Sequence, residues 1–176
     1  MATQLIAPET ADDTCYERID GQLIERPVPL SSHACAQSEI LLLLHGALRS
    51  SKGCAYTEWS IAQPEQADRD DPDYMTPDVL IVYPPLTRAR NGYLAVPGFL
   101  AVEILSPGQD LISKALRYAA WGTPHVWIIN PETRLAFEFH GGNTFTIQRQ
   151  ELRAGDLVIS LASVWAELDR LVKDEA

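Results

Sequence analysis

The chain has 176 residues, of which 46% are hydrophobic and 22% charged, and this composition is typical of one globular domain spanning residues 1–176. No apolar run approaches the roughly 20 residues that cross a bilayer, and the opening MATQLIAPET has neither the basic start nor the apolar core of a signal peptide, so we expect a cytoplasmic protein without a membrane partner. The net charge of −10 weakens a nucleic-acid hypothesis without removing it, because proteins that bind DNA usually present a basic face.

The chain begins with the pattern of a β-hairpin. Residues 15–27 read CYERIDGQLIERP, in which Asp20-Gly21 is a strong two-residue turn signal between two runs that favour strands. Pro27 and Pro29 end the second run, because proline cannot donate to a strand ladder. An N-terminal β-hairpin is therefore predicted.

A helix is predicted from Ser31 or Ser32, either of which could act as its N-cap, to about Leu48. Helical spacing predicts a core-facing side that comprises Ile40, Leu43, Leu44 and Ala47. His33 and Glu39 also lie on this helix, where a solvated or capping role is preferred to a catalytic one.

The middle of the chain predicts strands separated by loops. Residues 57–62 form a short strand candidate. The acidic segment 64–74 that follows lacks the glycine and the closing glutamate of a calcium-binding EF-hand, so a solvated loop is expected. Residues 78–83 and 99–105 are near-continuous apolar runs, which are typical of central strands covered on both faces.

Glu103 interrupts the second of these apolar runs. Since side chains alternate along a strand, Glu103 is expected on the same face as Ala101 and Leu105, while Val102 and Ile104 point to the other face. A carboxylate is therefore predicted inside the protein, between a sheet and whatever covers it.

A second helix is predicted to begin with Asp110 as its N-cap and to end at Gly122, because Pro124 prevents its continuation. At about 100° per residue, the apolar stripe is centred on Leu111, Ala115 and Tyr118. Lys114 lies about 60° from that centre, at the edge of the buried face. It is therefore expected to point towards the sheet more than an average surface lysine does.

The last third of the chain predicts further strands and a closing helix. Residues 126–130 form a third buried strand, and residues 135–149 form a hairpin that turns at residues 141–143. A turn at residues 155–156 precedes a short apolar strand. The closing helix from about Ser163 carries on one side Val164, Leu168, Leu171 and Val172. The order of elements predicts an α/β fold, a mixed central β-sheet flanked by helices.

Two acidic residues in buried strands suggest the chemistry. Asp78 at a strand start and Glu103 within a strand could each be an ordinary ion-pair or strand-end residue, because a buried carboxylate needs a partner. Together, carboxylates on two consecutive strands can hold a hard divalent cation such as Mg²⁺, which prefers oxygen ligands and keeps several waters. Lys114 could then orient a water and stabilise charge on a phosphate.

Other catalytic patterns find no support in the sequence. There is no G-x-S-x-G elbow, no H-E-x-x-H helix, no G-x-G-x-x-G turn and no G-x-x-x-x-G-K-[ST] loop. Cys15, Cys35 and Cys54 form neither a disulfide framework nor a zinc signature.

Taken in order, these segments resemble the Uma family of restriction-endonuclease-like proteins, within the PD-(D/E)XK nuclease superfamily. YERIDGQLIERP and the helix with His33 are similar to the opening of that family, and TPDVLIV and AVEILSP are similar to its two central strands. DLISKALRYAAWGTPHVWIINPETR is similar to its lysine helix and next strand. The resemblance runs nearly end to end and implies a restriction-endonuclease-like core.

The resemblance also implies site residues. Asp78 matches the PD aspartate, and Glu103 matches the glutamate of the E-x-L-S-P strand. Lys114 matches the lysine of the D-x-x-x-K helix start, in which Asp110 is the aspartate. Glu17 matches a recurrent family glutamate for which we predict at most a supporting contact.

One position departs from the pattern of the superfamily. The usual lysine lies two residues after the acidic residue on the same strand, and here that position is Leu105. The family resembled here moves the lysine to the following helix, in agreement with the helical-wheel position of Lys114.

Two functions remain open from the sequence. The first is a DNA endonuclease that uses Mg²⁺ or Mn²⁺, in which Asp78 and Glu103 bind the metal with the backbone carbonyl of Ile104 as a further ligand, Lys114 positions the attacking water, and the protein is a homodimer. The second is a catalytically degenerate nuclease-fold domain that acts in binding or assembly. The acidic composition, the lack of a basic run and the displaced lysine favour the second.

Overall fold

The computed structural model describes residues 15–89, 91–140 and 144–174. In chain order its elements are β1 (Tyr16–Ile19), β2 (Gln22–Glu25), α1 (Ser31–Leu48), β3 (Cys54–Thr57), β4 (Ile61–Ala62), a 3-10 turn (Pro64–Gln66), β5 (Tyr74–Met75), β6 (Val79–Val82), β7 (Leu100–Ile104), α2 (Leu111–Ala120), β8 (His125–Asn130), β9 (Leu135–Phe139), β10 (Phe145–Gln148), β11 (Glu151–Ala154), β12 (Leu157–Ser160) and α3 (Leu161–Asp174). Among these residues, no helix is both long and apolar enough to cross a membrane.

A six-stranded sheet with the order β10-β9-β8-β7-β6-β3 forms the centre of the structure. Strands β7 and β8 run parallel, and every other neighbouring pair in this sheet is antiparallel. Parallel neighbours need a crossover connection, and α2 provides it. The mixed α/β architecture predicted from the sequence is confirmed.

Helices cover both faces of this sheet, so its central strands are mostly apolar. On one face α1 and α3 pack against Leu100, Val102 and Ile104 of β7. On the other face α2 packs against Ala101 of the same strand. The predicted alternation along β7 is confirmed, and it directs Glu103 to the α2 face, where its carboxylate meets that helix.

The N-terminal hairpin is confirmed and lies against α2. β1 and β2 pair antiparallel around Asp20 and Gly21, which both have positive φ (52° and 75°), as a type I′ turn requires. The Asp20 carboxylate accepts hydrogen bonds from Arg117 of α2, at 2.7 Å from Nη2. The amide of Gly21 donates to Asp73 at 2.8 Å. These contacts fix the hairpin, and with it β1, over one end of α2.

Three local predictions in the first half are wrong in detail. Residues 57–62 do not form one strand, because Glu58 takes a positive φ (53°) and divides the segment between β3 of the central sheet and β4 of a separate sheet with the order β2-β1-β5-β4. Helix α1 begins at Ser31 with Leu30 as N-cap and no side-chain cap. Ala47 is exposed instead of buried, since Ile40 and Leu44 set the buried stripe.

Other differences lie outside the central sheet. Asp73 is buried although the acidic loop was expected to be solvated, because it caps the hairpin turn through the Gly21 amide. Strand β11 was not predicted; it pairs with β12 around Gly155. The turn at residues 141–143 and the side chain of Val172 lie outside the described part of the structure.

Gly98 gives a test of the packing around β6. A methyl group on Gly98 would lie 2.4 Å from Leu80 Cδ1, and Leu80 is completely buried and cannot move aside freely. We expect Gly98→Ala to lower the free energy of unfolding by about 1–3 kcal/mol, as measured by urea denaturation. Gly46→Ala, at an exposed position of α1, is the control, because nothing lies near its added methyl; it should stabilise the protein by about 0.5–1 kcal/mol. Equal stability of Gly98→Ala and wild type would show that this packing is wrong.

Candidate active site

Glu103 lies in the middle of β7 and is only 1% exposed. Its Oε2 accepts a hydrogen bond from Lys114 Nζ at 2.8 Å, and its Oε1 accepts one from the Tyr118 hydroxyl at 2.7 Å. Residues 114 and 118 are one helical turn apart on α2, so both reach the sheet from the same side of the helix. The buried carboxylate is thus paired with two donors from one helix.

Lys114 joins Glu103 to a second buried carboxylate. Its Nζ lies 3.0 Å from Oε1 of Glu17, which β1 carries, and the same oxygen accepts the amide of Thr76 at 2.8 Å. Burial lowers the pKa of Lys114, but the two carboxylates outweigh burial and raise it, so the ammonium stays charged. The helical wheel placed Lys114 at the edge of the buried face; the structure places it fully inside.

Asp78 lies directly before β6, and each of its oxygens has a different kind of partner. Oδ2 accepts the amide of Ile104 at 2.6 Å, next to Glu103 in β7. Oδ1 lies 3.2 Å from Nη2 of Arg26 and 3.3 Å from Nε2 of His33. The other ring nitrogen of His33 lies 3.0 Å from the Ser106 hydroxyl. Asp78 and Glu103 therefore flank the end of the same strand.

The carboxylates in this region affect one another. Burial raises the pKa of Glu103 to about 7; Lys114 opposes this shift, while the negative charges of Asp78 and Glu17 add to it. Burial and the neighbouring Glu103 raise the pKa of the Tyr118 hydroxyl well above its usual value, so this hydroxyl keeps its proton and acts as a donor. The carboxylates at the site therefore outnumber the positively charged side chains that pair with them.

The donor chemistry suits a hard cation more than zinc. Within the described residues, no three or more His, Cys, Asp and Glu side chains form a ready metal cluster. Asp78 and Glu103 can provide two carboxylates, and Mg²⁺ commonly takes one or two protein carboxylates and fills its other positions with water. Burial is the main cause of the raised pKa of Glu103, the charges of Asp78 and Glu17 add to it, and a bound cation would lower it. The residues present thus fit Mg²⁺ or Mn²⁺.

Several contacts were not foreseen. His33 was expected to be solvated or to cap α1, but it is buried against Asp78. Tyr118 was placed in the apolar stripe, although its position one turn after Lys114 could have marked it as a partner of Glu103. Arg26 and Glu58 gave no signal, because both lie in irregular segments beside strand ends.

Two neighbouring cavities open on these residues. One, of about 520 Å³, is lined by Glu17 and Lys114 among others. The other, of about 550 Å³, is lined by Asp78 and His33. Arg26 lines both cavities.

Comparison with known proteins shows the family of this chain. The family described as "Uma2: Putative restriction endonuclease" matches residues 3–170, nearly the whole chain. The chain belongs to the Uma2 family. The resemblance noted from the sequence motifs is therefore confirmed, and nuclease chemistry is the class of activity that this family indicates.

A solved structure shares the fold of this Uma2 chain. It is that of a putative nuclease belonging to DUF820 from Anabaena variabilis ATCC 29413, with a TM-score of 0.69 and 21% sequence identity over 87% of this chain and 90% of that chain. At this identity the match establishes the restriction-endonuclease-like fold and nothing finer. No curated protein matches the chain.

Proposed function

We propose that this Uma2 protein is a metal-dependent endonuclease that hydrolyses phosphodiester bonds in DNA. The observation that carries the proposal is the buried Glu103 carboxylate, which shares Lys114 with Glu17 and has a pKa raised to about 7 beside Asp78. Burying charged groups is costly, so a cluster of this kind is unusual unless a function retains it.

The proposed cation site consists of Asp78, Glu103 and the backbone carbonyl of Ile104. A bound Mg²⁺ or Mn²⁺ would polarise a phosphate oxygen and lower the pKa of a water molecule. Oδ1 of Asp78 faces the side chains of Arg26 and His33 and not the backbone, so it is the oxygen that can coordinate a metal without breaking the Ile104 hydrogen bond.

The residues that do not bind the metal hold the reacting groups or position other side chains. Lys114 lines the cavity of about 520 Å³ beside Glu17, where its ammonium can hold the attacking water and stabilise charge that develops on the phosphate. Glu17 and Tyr118 are positioning residues: Glu17 fixes the Lys114 ammonium, and Tyr118 fixes the Glu103 carboxylate. Neither needs to contact the substrate.

A second function, a non-catalytic nuclease-fold domain for binding or assembly, is favoured by one observation. Asp78 and Glu103 are already paired with Arg26 and Lys114, as in a structural ion-pair network. The net charge of −10 points in the same direction. Titration calorimetry separates the two: a degenerate domain gives no heat with MgCl₂ or MnCl₂, whereas one metal per chain, lost in Glu103→Ala, argues for the nuclease.

The direct test of the proposed function is cleavage of plasmid and single-stranded DNA in the presence of Mg²⁺ or Mn²⁺. Wild type should cleave, and Asp78→Ala and Lys114→Ala should not. Equal residual cleavage by the wild type and both variants would assign the activity to a contaminant and remove the proposal.

We further propose a homodimer as the active form. Strand β2 lies at an edge of its sheet and exposes Leu23 and Ile24, which leaves an apolar strand edge accessible to a second copy. Sedimentation equilibrium of the purified protein tests this proposal: a monomer mass at every concentration would refute it.

The raised pKa of Glu103 gives a pH prediction. Glu103 is protonated below about pH 7 in the metal-free protein, so cleavage at subsaturating Mg²⁺ should rise as the pH increases through about 7. Tyr118→Phe removes a hydrogen bond to the ionised carboxylate, worth about 1.5 kcal/mol, and should move the midpoint upwards by about one pH unit. Tyr83→Phe, outside the site, is the control. An unchanged pH profile in Tyr118→Phe would contradict the assigned contact.

A further inference from the structure

Arg26 and His33 both lie against the oxygen of Asp78 that a metal ion would need, and Arg26 is the permanently charged one of the two. It follows β2, and its side chain is only 15% exposed. Its Nη2 lies 3.2 Å from Asp78 Oδ1, and its Nη1 donates a hydrogen bond to Glu58. The guanidinium is therefore held between two carboxylates, one of which belongs to the proposed metal site.

The same guanidinium has one N–H group without an acceptor among the described residues. Nε of Arg26 is buried and has no hydrogen-bond partner among the described residues. A buried donor without a partner carries a desolvation cost that an incoming acceptor can relieve. A planar guanidinium suits a phosphate, because it can present two N–H groups to two phosphate oxygens.

Arg26 also lines both cavities beside the site. The cavities of about 520 and 550 Å³ are both lined by Arg26 and by its neighbours Glu25 and Pro27. Lys114 lines the first cavity, and Asp78 lines the second. A small rotation of the Arg26 side chain off Asp78 would leave it beside both groups proposed to act on the substrate.

The charges give a reason for the side chain to move. Two positively charged side chains in this region, Arg26 and Lys114, pair with four carboxylates. These belong to Glu17, Glu58, Asp78 and Glu103. A divalent cation on Asp78 would repel the adjacent Arg26 guanidinium. This repulsion would be strong because both charges are partly buried and water screens them poorly. Without that cation, the carboxylates would repel a DNA phosphate.

We propose that Arg26 is a phosphate-binding residue that is stored on Asp78 in the metal-free protein: a divalent cation displaces it from Asp78, and its guanidinium then binds a phosphate of the substrate DNA. The proposal rests on the proposed function. It makes the metal and Arg26 competitors for one carboxylate oxygen and makes DNA binding dependent on the metal. Glu58 is the positioning residue that keeps Arg26 at the site while it changes partner.

The first test is the affinity for Mn²⁺ without DNA, measured by titration calorimetry. Arg26→Gln removes the competing charge and should bind Mn²⁺ about tenfold more tightly than wild type. Arg26→Lys keeps the charge and should bind Mn²⁺ as wild type does. Arg134→Gln removes an arginine that pairs with Asp169 away from the site, and it should change nothing. A purely structural role for Arg26 would leave Mn²⁺ affinity unchanged or lower it.

The second test is DNA binding without cleavage, followed by fluorescence anisotropy of a labelled phosphorothioate duplex at saturating Mn²⁺. Arg26→Gln should bind the duplex about tenfold more weakly than wild type, and Arg26→Lys should be intermediate. Unchanged DNA affinity in Arg26→Gln, or Mn²⁺ affinity no tighter than that of wild type, would overturn the proposal.

These measurements separate this inference from the proposed function. If wild type cleaves DNA but Arg26→Gln leaves both affinities unchanged, the inference fails and the nuclease function stands. If wild type does not cleave, yet Arg26→Gln tightens Mn²⁺ binding and weakens duplex binding, the inference stands and the hydrolytic function fails. No Mn²⁺ binding by either protein would overturn both.

Discussion

Replacing Lys114 with methionine is expected to lower the free energy of unfolding by about 3–5 kcal/mol, because it leaves two buried carboxylates without their shared cation. Lys114 Nζ lies 2.8 Å from Glu103 and 3.0 Å from Glu17, and no part of this contact is well exposed to solvent. Methionine has a similar length and suits the apolar neighbours on α2, so the loss reports the charge and not a cavity. Urea denaturation at pH 8 measures it.

The loss of stability in Lys114→Met should be larger at high pH than at low pH. The pKa of Glu103 in the folded protein is raised to about 7, above the ordinary value of 4.5, so protonation of Glu103 favours the folded state. This stability is fully present below about pH 4.5 and is lost as the pH rises through about 7. Removing Lys114 raises the pKa of Glu103 further, so Lys114→Met should be less destabilised at pH 5.5 than at pH 8.

Two further variants make this prediction specific. Adding Glu103→Gln to Lys114→Met removes one of the two unpaired charges and should recover part of the lost stability, as expected for coupled neighbours. Arg117→Met, on the same helix, breaks an ion pair with exposed Asp20 and should cost less than about 1 kcal/mol. A pH-independent loss in Lys114→Met, or no recovery in the double variant, would contradict the buried charge cluster.

Asp78→Asn is expected to reduce DNA cleavage by about a thousandfold or more. Asparagine can still accept the Ile104 amide, so the strand end should keep its shape, but one negative charge of the proposed cation site is lost. Metal-dependent polarisation of a phosphate supplies several kcal/mol of transition-state stabilisation, and about 4 kcal/mol corresponds to a thousandfold change in rate. Plasmid nicking under single-turnover conditions measures the effect.

Asp73→Asn is the matched control for this variant. Asp73 is also a buried aspartate, but its carboxylate accepts the Gly21 amide at the hairpin turn and does not contact the site. The substitution should alter stability and leave the cleavage rate of the folded protein within a few-fold of wild type. Equal losses in Asp73→Asn and Asp78→Asn would mean that both act through folding.

The parts of the site that could be predicted are those set by local periodicity. Alternation along residues 99–105 placed Glu103 on one face of its strand, and the 3.6-residue period placed Lys114 towards the sheet. The two side chains meet in the structure at 2.8 Å. Both inferences depend only on the geometry of one strand and one helix, which tertiary contacts change little.

The parts that could not be predicted depend on contacts between distant segments. Glu17 reaches Lys114 because Asp20 and Gly21 fix the hairpin against α2 and Asp73, and no periodic pattern encodes that placement. Arg26 meets Asp78 because the chain after β2 passes over the end of β6. In each case a loop or hairpin docks on the sheet, and its docking is decided by tertiary packing.

The central claim is that Asp78 and Glu103 make this Uma2 protein a divalent-metal-dependent DNA endonuclease. The most direct measurement is the rate of plasmid nicking by the wild-type protein as free Mg²⁺ is varied, with Asp78→Asn purified in parallel. We expect a rate that saturates with Mg²⁺, disappears when EDTA is added, and falls about a thousandfold in Asp78→Asn. A rate that survives EDTA, or one that is the same in wild type and Asp78→Asn, would contradict it.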